Sequence, residues 1–106
     1  MSLIQIESIP SKEIIQGLHF RFVHSQNMTV SFVHIEEGAN LPEHAHPHEQ
    51  ITIMRKGKLK LVLGGEPHIL EPGSVLIIPG NVPHSAQALT ECEVMDIFSP
   101  VREDFQ

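Results

Sequence analysis

From Leu18 onward the chain is written almost entirely in short strands, and no stretch carries the three-to-four-residue apolar spacing of a convincing amphipathic helix. Leu18 to His24 and Asn27 to Glu36 are rich in Phe and Val and are separated by Ser25-Gln26, which predicts a hairpin. Gln50, Thr52 and Met54 alternate with Ile51 and Ile53. Lys58 to Leu63 alternates as well, with Leu59, Leu61 and Leu63 inward and Lys58 and Lys60 outward, and Gly64-Gly65 predicts a tight hairpin into Glu66 to Glu71. Gly73 to Pro79 reads as a buried strand, and further strands follow from His84 and over Glu93 to Phe98. Only Ser11 to Gln16 is a candidate helical turn. Strands at this spacing predict an all-β sandwich or barrel. A chain of 106 residues has room for one core, so residues 1–106 are expected to form a single domain.

Chemistry concentrates at four positions. His44 and His46 are two apart and project from one face of an extended segment, Gln50 opens the next strand, and His84 follows the turn Pro79-Gly-Asn-Val-Pro83. Imidazole is the commonest side-chain ligand for divalent Zn, Ni, Fe, Mn and Cu, and a small barrel would bring these segments together around one such ion. Three imidazoles and an amide are uncharged, so the ion would keep its full positive charge and favour anionic ligands. An octahedral ion would also retain two open positions. His48 extends the run to His44-Ala-His46-Pro-His48, but Pro47 distorts a strand there. It reads as a further ligand, as a residue behind a ligand or a contact to the substrate, or as none of these. His19, His24, His34 and His68 have no ligand-like neighbour and are expected on the surface or in ordinary hydrogen bonds.

The last strand mixes a charge into an apolar run. Val94, Asp96 and Phe98 share one face, and Met95 and Ile97 the other. Both faces are otherwise apolar, so periodicity leaves open whether Asp96 meets water or the interior. Arg102, beyond Ser99-Pro100, is either a solvated neighbour of Glu103 and Asp104 or a planar fork able to grip a carboxylate.

Composition removes several classes. A net charge of −6, with no Lys/Arg block and no Trp or Tyr, argues against nucleic-acid binding. The longest apolar stretch, Val75 to Ile78, is far too short for a membrane span. Cys92 is the only cysteine, so no intrachain disulfide is possible, and the opening residues show no secretory leader; a cytoplasmic setting is the default expectation.

Two short motifs carry a family resemblance. Gly38, His44, His46, Gln50 and Gly57 are similar to the first motif of the cupin superfamily, with Gln50 where Glu is usual. Gly73, Pro79, Asn81, His84 and Ala88 are similar to the second, with Asn81 in a Gly place and Ala88 in an Asn place. Fifteen residues separate Gly57 from Gly73, a normal spacing for that family. The resemblance, over about 38–57 and 73–88, implies a small double-stranded β-helix, the jelly-roll barrel of cupins, with His44, His46, Gln50 and His84 as metal ligands. His44 to Gln50 together with Asp96 to Phe105 further resembles the KdgF-type cupins, which turn 4,5-unsaturated monouronates from pectin and alginate into their linear ketonised form. That likeness implies Asp96 and Arg102 as catalytic groups, with Asp96 moving a proton to C4 and Arg102 binding the carboxylate. It implies Phe98 as a substrate contact, a small sugar acid as substrate, and a homodimer formed through the outer sheet; His48, from its place in the run, is the other expected substrate contact. A cupin dioxygenase and a non-catalytic sugar-binding cupin are the alternatives.

Overall fold

The computed structural model describes residues 2–106. Ten strands run in chain order: β1 (Lys12–Ile15), β2 (Leu18–His24), β3 (Thr29–Ile35), β4 (Asn40–His44), β5 (Glu49–Lys56), β6 (Leu59–Leu63), β7 (Glu66–Leu70), β8 (Val75–Ile78), β9 (His84–Ala88) and β10 (Cys92–Ser99). Short 3-10 turns cover Ile6–Ser8 and Glu103–Phe105. A six-stranded sheet in the order β1-β2-β3-β10-β5-β8 faces a four-stranded sheet in the order β4-β9-β6-β7. Every pairing is antiparallel. This is the jelly-roll of a small double-stranded β-helix.

Both predicted hairpins form. Ser25 N–H donates to the Met28 carbonyl between β2 and β3. Gly64 and Gly65 take φ of +55° and +83°, the two left-handed values that a two-residue turn matching strand twist requires. The core lies between the sheets, where Leu18, Val33, Met54, Leu59, Leu61, Ile78 and Val94 are buried together. Burying these side chains is the main drive for closing the two sheets on each other.

Two expectations need correction. Ser11 to Gln16 holds no helical turn: Lys12–Ile15 is strand β1, at the sheet edge. Its exposed Lys-Glu-Ile pattern has no strand alternation, and pairing with β2 decides its conformation. The apolar run of β8 is buried on one face only, with Val75 60% and Ile77 59% exposed. That strand closes the other edge of the six-stranded sheet, and the single chain covers only its inner face.

Candidate metal centre and the cleft beside it

His44 ends β4, His46 sits in the loop between β4 and β5, and His84 opens β9. Regular pairing from Leu41↔Ala86 would set Glu43 opposite His84. A bulge in β4 shifts the register by one and sets His44 there instead. Bulges beside functional sites commonly re-aim a side chain in this way. The His46 loop is fixed by the turn ahead of β9: Asn81 N–H donates to the His46 carbonyl at 2.7 Å. Asn81 is the one non-glycine among the described residues with positive φ, at 66°, in accord with the Asn-for-Gly substitution in the motif. Next to it, a Cβ on Gly80 would collide with the Pro47 carbonyl oxygen, so only glycine lets the two loops close.

The three imidazoles converge. One ring nitrogen from each lies within 4.8 Å of the others. Their Nδ1 atoms face backbone carbonyls, His44 toward Pro42 at 2.8 Å, His46 toward His48 at 2.9 Å and His84 toward Val82 at 2.9 Å. A carbonyl only accepts, so each Nδ1 carries the proton and each Nε2 presents a lone pair to the common point. His84 Nε2 is buried with no hydrogen-bond partner.

Gln50 completes the set. Its Nε2 donates to Thr52 Oγ1 at 2.9 Å and Asp96 Oδ1 at 3.0 Å, which turns Oε1 toward the histidines, 3.1 Å from His46 Nε2. With the His46 proton on Nδ1, two acceptors face each other there. A cation resolves that contact; so does a second proton on His46, but burial first, then Arg102 and His84, hold its pKa below the ordinary histidine value. Burial likewise lowers His84, with His44 and Arg102 adding to it. Neutral imidazoles, one with an orphaned buried Nε2, and an amide oxygen aimed at them make a donor set that a divalent transition ion fits.

The structure settles which way the last strand faces. Asp96 pairs with Thr52 on β5 and Ser31 on β3, and all three side chains point inward. Thr52 Oγ1 donates to Asp96 Oδ1 at 2.7 Å. Burial outweighs that bond and the one from Gln50, and pushes the Asp96 pKa from 3.8 up to about 6.

A cleft of about 310 Å³ opens beside these groups, its wall including His44, Gln50, Asp96, Phe98, Arg102 and Phe105. Arg102 is not solvated: it is 8% exposed, with its guanidinium carbon 4.7 Å from the Phe98 ring centre and 4.2 Å from that of Phe105. His48 is buried beside His46 but does not line this cleft; its Nε2 lies 3.6 Å from Glu103 and its Nδ1 has no partner. Sequence reasoning missed Thr52, Phe105 and the β4 bulge. Thr52 was readable as a polar residue on the Gln50 face; Phe105 carries no local signal. Of the histidines expected in ordinary roles, His19 pairs with Glu36, His24 with Thr29 and His34 with Glu91.

Comparison with known proteins identifies the same fold. The structure of KdgF from Halomonas superposes with a TM-score of 0.93 at 28% identity, covering 100% of this chain and 99% of that one. An RmlC-like cupin from Shewanella frigidimarina gives 0.90 at 28% identity, covering 94% and 91%. An uncharacterized protein of Streptomyces coelicolor is 25% identical over 85 residues, 79% of this chain and 81% of its own length. The cupin domain family matches residues 31–98, and the chain belongs to that family.

Proposed function

We propose that this cupin is a metal-dependent enzyme that converts 4,5-unsaturated monouronates to their linear keto form. The reading rests on one observation: the neutral donors His44, His46, His84 and Gln50 share a site with an inward Asp96 and a buried Arg102. Likeness to KdgF over the whole chain supports it. A divalent ion on those four donors, whether Ni, Zn, Mn, Fe or Cu, would supply Lewis acidity toward an anionic oxygen of the substrate.

The remaining work falls to side chains. Arg102 orients the substrate carboxylate, and Phe98 gives the sugar an apolar wall. The reaction is an isomerisation. A proton leaves the hydroxyl on C1, the bond from C1 to the ring oxygen breaks to give an aldehyde, and the enol left at C5 becomes a ketone as C4 takes up a proton. Asp96 accepts the first proton and returns one at C4, a general acid–base role worth roughly 10²–10⁴-fold. His48 acts from behind His46, through the carbonyl that holds its ring proton.

Metal-loaded protein is expected to accelerate loss of the ultraviolet absorbance of an unsaturated galacturonate, equally well without oxygen. Absence of acceleration rejects the reading; oxygen consumption would indicate a dioxygenase, and saturable binding without turnover a sugar-binding module.

The same proposal includes a cytoplasmic setting and a homodimer. The outward face of the large sheet is apolar across Phe32, Ile51, Ile53, Val75, Ile77, Met95 and Ile97, which register places side by side. A contiguous patch of this kind favours a protein partner, here a second copy. Sedimentation is expected to give twice the chain mass; a monomer at all concentrations would contradict the dimer.

A further inference from the structure

Arg102 reaches the cleft in an unusually constrained state. Its faces lie against Phe98 and Phe105, its backbone N–H donates to Thr29 Oγ1 at 2.9 Å, and Phe105 is itself stacked on Phe22 at 4.6 Å. One edge of the guanidinium is occupied: Nε donates to Asp104 Oδ1 at 3.0 Å and Nη2 to Oδ2 at 2.7 Å. The Arg102 side chain is 9% exposed and that of Asp104 52%. Arg102 lines the cleft and Asp104 does not. The carboxylate therefore holds the solvent side of the fork.

We propose that Asp104 is a positioning residue which, by occupying the Nε edge of Arg102, turns the remaining N–H groups on Nη1 and Nη2 toward the cleft to receive one planar carboxylate. The inference rests on the uronate reading above and adds the device that aims its carboxylate contact. A guanidinium free to rotate would have to be ordered each time a ligand binds; here that ordering is already done by the fold. The pair is also close to neutral, since Arg102 keeps Asp104 ionised by holding its pKa below the ordinary value. Recognition then depends on fork geometry more than on net attraction.

The test compares wild type, Asp104→Asn and Asp104→Glu in metal-loaded protein. Calorimetry with saturated D-galacturonate reads affinity, and turnover of the unsaturated uronate reads KM against kcat. Asp104→Asn is expected to weaken galacturonate binding and raise KM, each by about tenfold, with kcat within about threefold of wild type. Asp104→Glu, which restores the acceptor pair, is expected to recover part of the loss. Unchanged affinity in Asp104→Asn, with only the melting temperature lowered, would overturn the proposal and leave a merely structural ion pair. Wild type that binds galacturonate without turning over the unsaturated sugar would remove the uronate reaction, yet the affinity comparison would still decide the role of Asp104. Wild type that neither binds galacturonate nor turns over the unsaturated uronate overturns both; turnover without measurable galacturonate binding leaves the KM of Asp104→Asn to decide.

Discussion

Alanine at position 46 is expected to weaken binding of divalent transition ions at least a hundredfold, beyond the roughly tenfold-to-hundredfold loss typical when only a residue behind a ligand is removed. Turnover should vanish with it. His46 is the candidate ligand most tightly set in advance: Nδ1 is bound to the His48 carbonyl, Nε2 faces Gln50 Oε1, and the loop is held by Asn81. Its removal leaves His44 and His84 as the only imidazoles of the triad. The fold should survive, because His46 lies outside the apolar core and its substitution also removes a contact between two acceptors. Metal-free variant and wild type are therefore expected to melt at similar temperatures, while the rise in melting temperature on adding metal disappears in the variant. Titration calorimetry and melting curves with and without Zn or Ni check both halves. Unchanged metal affinity would remove His46 from the site.

Asp96→Asn is expected to lower kcat by roughly 10²–10⁴-fold while leaving metal and uronate affinity near wild type. The carboxamide oxygen can still accept from Thr52 and Gln50, so the Gln50 amide stays aimed at the histidines. What is lost is the carboxyl proposed to exchange a proton. The variant is also expected to stay folded, from the linkage of Asp96 to stability. Burial raises its pKa from 3.8 to about 6, so the folded protein holds that proton more tightly than the unfolded chain. Its contribution to stability is complete below pH 3.8 and is lost as the pH rises through about 6. Metal-free Asp96→Asn should therefore be at least as stable as wild type at pH 8, with a smaller advantage at pH 5. Melting curves at the two pH values and single-turnover kinetics measure both effects. A fully active Asn variant would rule out Asp96 as the proton carrier.

The parts of the fold that could be read in advance are those whose signals are local. Ser25-Gln26 and Gly64-Gly65 announce their hairpins because turn geometry is set by a few residues, and Leu59 and Leu61 announce an inward face by alternation. Strand β1 was not readable, since Lys12-Glu13-Ile14-Ile15 carries no inward–outward alternation and only pairing with β2 decides its conformation. The run Val75 to Ile78 looks buried from composition, but edge position is a property of the assembled sheet.

The site divides in the same way. His44, His46, Gln50 and His84 stand out because motif spacing carries them, yet the β4 bulge that sets His44 opposite His84 has no local signature. Asp96 could not be oriented from periodicity, because both faces of β10 are apolar; pairing with Thr52 and Ser31 decides it. Arg102 among acidic neighbours read equally well as solvated; the rings of Phe98 and Phe105 lie near it in sequence, but only the folding of the tail after β10 brings both against its guanidinium and buries it.

The most direct trial of the centre is titration of metal-stripped protein with Ni, Zn, Mn, Fe and Cu, followed by X-ray absorption at the edge of whichever ion binds. One ion per chain is expected, with three imidazole nitrogens and an amide oxygen around it. A chain that takes up none of the five, or holds one without these histidines, would contradict the centre on which the proposed chemistry stands.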